Sequence, residues 1–164
     1  MAKYEEFAEE FKIITGHHMK LNSLANRIIA EKIGYLLYRK NINSSYTDFS
    51  WHLHGVLSWD LWYDIINFWN PKSILLPPKR VETLMKIKKD FNEAGITKYF
   101  DKSDNLELIT TVLYCAEKQE DLSEHNNNLI KKVSLLKHKF GESDIKNAIN
   151  VIAKIKWRFK RAIN

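Results

Sequence analysis

Apolar residues return every three to four positions through almost the whole chain, and only one stretch alternates instead. That pattern fits a stack of amphipathic helices. Tyr4, Phe7, Ala8, Phe11 and Ile14 mark a helix over 3–15, and Gly16 stops it. Glu5, Glu6, Glu9 and Glu10 lie in its first half, where the helix dipole favours acids. Leu24, Ile28, Ile29, Ile33, Leu36 and Leu37 mark a second helix over 22–40, with Asn22 or Ser23 as its cap. From Tyr46 to His54 the period becomes two. Phe49, Trp51 and Leu53 alternate with Ser50, His52 and His54, which predicts a strand or extended segment broken by Gly55.

Ser58 then caps a helix over 58–69 whose apolar residues cover most of its circumference: Trp59, Leu61, Trp62, Ile65, Ile66, Phe68 and Trp69. Such a helix is expected to be central and buried. All three prolines fall in 71–78, an irregular connection. Four elements follow. One helix runs from about 79 to Gly95. The next, from about 104, opens with Ser103 or Asp104 and Glu107, close to a capping box, and presents Leu106, Ile109, Leu113 and Ala116. A third follows the polar run 123–128 and ends at Gly141; the last runs from Ser143 to about 161.

The expected fold is therefore one mainly α domain over 1–164. It is a multi-helix bundle with a short extended or β element near 45–55, and a winged-helix arrangement and a plain bundle both fit. The length of 164 residues suits one core, and 5 Gly and 3 Pro disfavour a turn-rich all-β fold. The single cysteine excludes a disulfide framework and suits a reducing compartment. The acidic N-terminus does not resemble a secretory signal, and no apolar run approaches membrane-spanning length. A cytoplasmic protein with no membrane contact is the expectation.

Charge is unevenly placed. Residues 1–127 hold 16 Lys/Arg and 18 Asp/Glu, whereas 128–164 hold 10 and 2. Such asymmetry points to an anionic partner or to a solvated helix face. At 100° per residue, a helix over 143–164 gathers Ile145, Ile149, Ile152, Phe159 and Ile163 on one side. Lys146, Asn147, Asn150, Lys154, Trp157, Arg158 and Arg161 fall on the other. An aromatic among cations can stack on a base while its neighbours meet phosphates. Lys146, Lys154, Trp157, Arg158, Lys160 and Arg161 are the candidate nucleic-acid contacts; the competing reading packs Trp157 against a neighbouring helix.

Other chemistry has thin support. His52 and His54 share one side of an extended segment, a spacing that metal sites use, but the sequence places no third ligand beside them. Cys115 lies among Val112, Leu113 and Ala116 and reads as a buried thiol. No phosphate loop, dinucleotide fingerprint or nucleophile elbow occurs. No catalytic residue, metal site or cofactor is expected. Four of the five Trp lie between 51 and 69, which predicts either a dense aromatic core or an exposed patch that docks another protein.

Residues 29–61 resemble the opening of the YwgA-like proteins and the related Panacea (SocA-like) domains. Lys32, Ile33, Tyr35, Leu36 and Leu37 match that family's first helix. Phe49, Gly55 and Ser58 match the aromatic, glycine and serine of the motif that caps its next helix. His54 stands where Tyr is usual, and Val56 where Pro is usual. Residues 106–118 and 134–152 look like the later helices, with Lys137 and Phe140 before the last one. The resemblance covers about 24–153. It implies a mainly helical, non-enzymatic regulatory domain, since Panacea relatives act as antitoxins or adaptors by binding proteins.

Three functions follow in order. The first is a non-catalytic regulatory or interaction module, antitoxin- or adaptor-like, that binds a protein partner through Trp51, His52, His54 and Trp59. The second is a nucleic-acid-binding regulator using the basic C-terminal helix. The third is a metal-dependent enzyme at His52 and His54.

Overall fold

The computed structural model describes residues 2–40 and 43–159. Among them are seven α-helices, a 3₁₀ turn and one antiparallel hairpin: α1 (Ala2–Thr15), α2 (Leu24–Lys40), β1 (Phe49–His52), β2 (Gly55–Ser58), α3 (Trp59–Phe68), α4 (Pro78–Ala94), the 3₁₀ turn Ile96–Tyr99, α5 (Ser103–Ala116), α6 (Asn127–Leu136) and α7 (Glu142–Ala153). A mainly helical bundle with one small β element is thus the observed class, as the periodicity predicts. No helix among the described residues is long and apolar enough to cross a membrane.

The helix at the centre is α5, not α3. It packs against α2, α6, α7 and β2, and buries every residue from Leu106 to Val112 together with Leu113, Cys115 and Ala116. By contrast α3 buries only Leu61 and Ile65. The expectation of a central 58–69 helix is corrected here. Both faces of α3 are apolar, but only one can meet the core of so small a domain. In α2 the burial is nearly continuous from Ala30 to Leu37. Gly34 lets α3 and β1 approach it: a Cβ there would stand 3.1 Å from Leu61 Cδ2 and 3.2 Å from Phe49 Cζ.

Three helix starts, those of α2, α3 and α6, are capped by a side chain of the residue just before the helix. Ser58 Oγ accepts from the Leu61 amide at 3.1 Å, Ser23 Oγ from Asn26 at 3.1 Å, and Asn126 Oδ1 from Leu129 at 3.1 Å. Gly95 ends α4 in the left-handed conformation. The capping box proposed for α5 does not form. Ser103 is the helix's first residue, and Glu107 turns inward to Lys137 and Lys139 at 3.1 and 3.2 Å.

Two helix ends also differ from expectation. Instead of reaching Gly141, α6 stops at Leu136, where Lys137 leaves the helix and turns its amine to Glu107. The last helix stops at Ala153, not near 161. There Trp157 folds back, its Nε1 donating to the Ile152 carbonyl at 2.9 Å, and its ring lies 5.9 Å from Phe91. That bond satisfies one of the carbonyls a helix end leaves open. The segment is strapped down further by Arg158 N donating to the Arg39 carbonyl (2.6 Å) and Lys40 Nζ to that of Lys156 (3.0 Å).

Candidate interaction surface

The hairpin is built by the residues around it. Phe49 pairs with Ser58, Ser50 with Leu57, Trp51 with Val56 and His52 with Gly55, leaving Leu53 and His54 as a two-residue turn. Gly55 takes φ +91°, a conformation that no non-glycine residue of the hairpin shares. Lys32 reaches up from α2 and donates to the carbonyls of His54 (2.6 Å) and Val56 (2.7 Å). From the other side Lys137 donates to the Leu53 carbonyl at 3.0 Å. Two lysines thus hold three carbonyls around one turn. Burial pushes the Lys32 amine down to about 8, against the pull of Glu107 and Glu31.

The junction into α3 is anchored by carboxylates. Glu31 Oε2 accepts from the Ser58 amide at 2.8 Å, while its Oε1 is buried with no hydrogen-bond partner among the described residues. Burial raises this carboxyl to about 8. Asp48 accepts a short hydrogen bond from Ser58 Oγ, and its other oxygen accepts from the Asp60 amide at 3.2 Å. Tyr46 OH donates to Asp64 at 2.6 Å. The cap, the hairpin and α3 therefore form one braced unit whose outer side is free to carry function.

That outer side is apolar. Trp59, Tyr63 and Ile66, spaced i, i+4, i+7, form a ridge along α3 and are 56%, 64% and 55% exposed. Trp62 and Asn67 flank it. The His52 ring meets Trp59 edge-on at 5.0 Å, extending the patch onto the hairpin. The only charged side chains on α3 are Asp60 and Asp64. Asp64 is engaged by Tyr46, and Asp60 lies 3.5 Å from Lys3.

Of the four residues expected at a protein-binding surface, the structure brings together His52 and Trp59. Trp51 points to the other side of the hairpin, half-buried, with Tyr114 at 5.0 Å and Lys137 over its ring at 5.6 Å. His54 lies in the turn, so the strand alternation that would pair it with His52 does not extend to it. Among the described residues no three His, Cys, Asp or Glu come together as a metal set. The sequence does not mark Tyr63 and Ile66 as exposed, because the apolar residues of α3 cover most of its circumference. The signal available was Leu61 and Ile65, which alone supply a complete inward i, i+4 stripe.

The nucleic-acid candidates are scattered. Lys146 is on α7, 4.0 Å from Glu142, and Lys154 is that helix's C-cap. Trp157 is buried at 9% exposure, so it stands on no cationic face; Arg158 is in the extended strap. Lys160 and Arg161 lie outside the described residues. Neither a family model, a curated protein nor a solved structure matches the chain.

Proposed function

We propose that this chain is a non-catalytic regulatory or interaction module, of the antitoxin or adaptor kind suggested by the YwgA-like and Panacea resemblance, that works by binding protein. The observation that carries the reading is the ridge of Trp59, Tyr63 and Ile66, half or more exposed on a helix braced at its N-terminal end. Aromatic side chains of this kind are the usual anchors of protein interfaces. The two charged side chains of α3 are carboxylates, and Lys3 beside them is paired with Asp60, so nothing on the ridge favours a nucleic acid or an anionic membrane as the occupant. A cytoplasmic setting fits the single, buried cysteine. The alternative, a nucleic-acid-binding regulator, rests only on the charge excess beyond residue 127.

A photo-crosslinking side chain at position 63, in the full chain in its own cells, tests the proposal. The expected result is a discrete protein adduct that disappears with Ile66→Asp. The same probe at Leu75, 98% exposed and outside the ridge, is the control. An adduct pattern at 63 no different from that at 75, or one indifferent to Ile66→Asp, overturns it.

A further inference from the structure

Two carboxylates converge on one residue at the start of α3. Glu31 Oε2 accepts from the Ser58 amide at 2.8 Å, and Asp48 accepts from the Ser58 hydroxyl. They are unequally served. Asp48 also accepts from the Asp60 amide at 3.2 Å, whereas Glu31, 1% exposed, keeps Oε1 buried with no hydrogen-bond partner among the described residues. Lys32, its neighbour on α2, does not fill that gap. Its amine is spent on the His54 and Val56 carbonyls, and it faces Glu107 of α5 as well as Lys137 and Lys139. Tyr46 faces Glu31 from the segment before β1, but donates its hydroxyl to Asp64. An ionised carboxylate is costly in such a place, and of two acids around one serine the less hydrogen-bonded one takes the proton.

We infer that Glu31 is protonated in the folded chain and that this proton is the latch of a local gate: when it leaves, the hairpin and the first turn of α3 lift from α2 while the rest of the bundle stays folded. The unit is suited to opening alone. Its strands have four residues each, and α3 buries only Leu61 and Ile65. A segment with so few buried contacts opens at low cost. An ionised Glu31 needs water at Oε1, and lifting the hairpin supplies it. Burial raises the carboxyl from 4.5 to about 8, so the closed form keeps a proton that the opened form, with Glu31 in water, releases. Opening is then favoured about tenfold for each pH unit between 4.5 and 8, and levels off above 8. Lys32 leaves this window undisturbed, because its own shift, from 10.5 to about 8, acts above it. Trp59 follows Ser58 directly, so opening displaces one end of the ridge. On the docking reading, the ridge keeps its folded shape only while Glu31 keeps its proton.

Amide hydrogen exchange on the full chain, from about pH 5 to 9, tests this without any partner. Protection, taken relative to an unstructured chain, should be weaker at the Ser58 and Leu61 amides than at Ile109 and Val112 in α5. At Ser58 and Leu61 it should fall about tenfold per pH unit until the pH reaches about 8. Glu31→Gln, an uncharged isostere of the protonated acid, should hold those two amides at one level of protection across the range. A carbon-13 titration of the glutamate carboxyls in the wild type is a second readout that needs no variant. The Glu31 carboxyl should titrate well above the other glutamates on the surface, and the Ser58 amide shift should follow it with the same midpoint. A Glu31 midpoint near 4.5 overturns the inference. So does protection at Ser58 and Leu61 that ignores pH, that equals the protection in α5, or that keeps its slope in Glu31→Gln. The docking reading is decided separately, by the crosslink at position 63.

Discussion

Lys32 Nζ lies 2.6 Å from the carbonyl oxygen of His54, across 22 positions of sequence, and the same amine holds the carbonyl of Val56 at 2.7 Å. A buried lysine is costly unless its hydrogen bonds are satisfied. Here the cost is offset by two backbone acceptors that the hairpin turn leaves open. Removing the amine strands both.

Lys32→Met should therefore destabilise the domain by about 2–4 kcal/mol, counting roughly 1–3 kcal/mol for each unsatisfied carbonyl and allowing for the desolvation the methionine relieves. Urea unfolding checks the size. Hydrogen exchange checks the place: amides of 55–58 should exchange faster than those of α5 in the variant.

The neighbouring Glu31 adds a pH dependence. Burial raises its carboxyl from 4.5 to about 8, so the folded state holds a proton that the unfolded chain releases. Its contribution is fully present below pH 4.5 and is lost as the pH rises through 8. Lys32 has the opposite shift, from 10.5 down to about 8. Its contribution is present above pH 10.5 and is lost as the pH falls through 8. Together the two place a shallow stability minimum near pH 8. Urea midpoints from pH 5 to 10 should show it in the wild type. In Glu31→Gln the decline between 5 and 8 should flatten while the rise above 8 remains; an unchanged decline would assign the slope to other groups.

Part of this was legible beforehand and part was not, for physical reasons. Helix positions follow from a period that every amphipathic helix must display, and Ser58 declared the start of α3 because a cap acts within four residues. Lys32, Gly55 and Ser58 all lie at or against the hairpin, but the sequence pattern does not say that the lysine points inward. Long-range choices were hidden. Whether α3 or α5 takes the centre depends on which helix finds neighbours on all sides. Trp157 fits a helical wheel well, yet the chain gains more by folding its ring onto Phe91 than by continuing the helix.

At Gly34, α2 packs against the docking unit with little room for a side chain. Alanine favours helix by up to about 1 kcal/mol over glycine. Against that, the new methyl would sit 3.1 Å from Leu61 Cδ2 and 3.2 Å from Phe49 Cζ. Both neighbours are held, Phe49 between Tyr35 and Tyr38 at 5.5 and 5.4 Å, so neither can yield freely. Overpacking costs of about 1–3 kcal/mol should win. Gly34→Ala should lower the melting temperature. An equal or higher value would show that α3 can shift outward without loss.

The C-terminal strap separates stability from nucleic-acid binding. Trp157 is packed on Phe91 and bonded to the Ile152 carbonyl, so Trp157→Ala should cost about 3–5 kcal/mol, as large aromatic truncations in cores do. Lys154 and Arg158 are exposed, and replacing both with Ser should leave the melting temperature within a few degrees. Titration with mixed-sequence duplex and single-stranded DNA and RNA at two salt concentrations then decides the second function. The docking reading expects no tight binding at low salt. Tight binding that weakens with salt, by a slope of roughly −0.7 to −0.9 per phosphate contact, and that falls in the Lys154/Arg158 double variant would instead make the basic terminus the working surface. In that event Trp157 would be the anchor that positions it, and not a stacking platform.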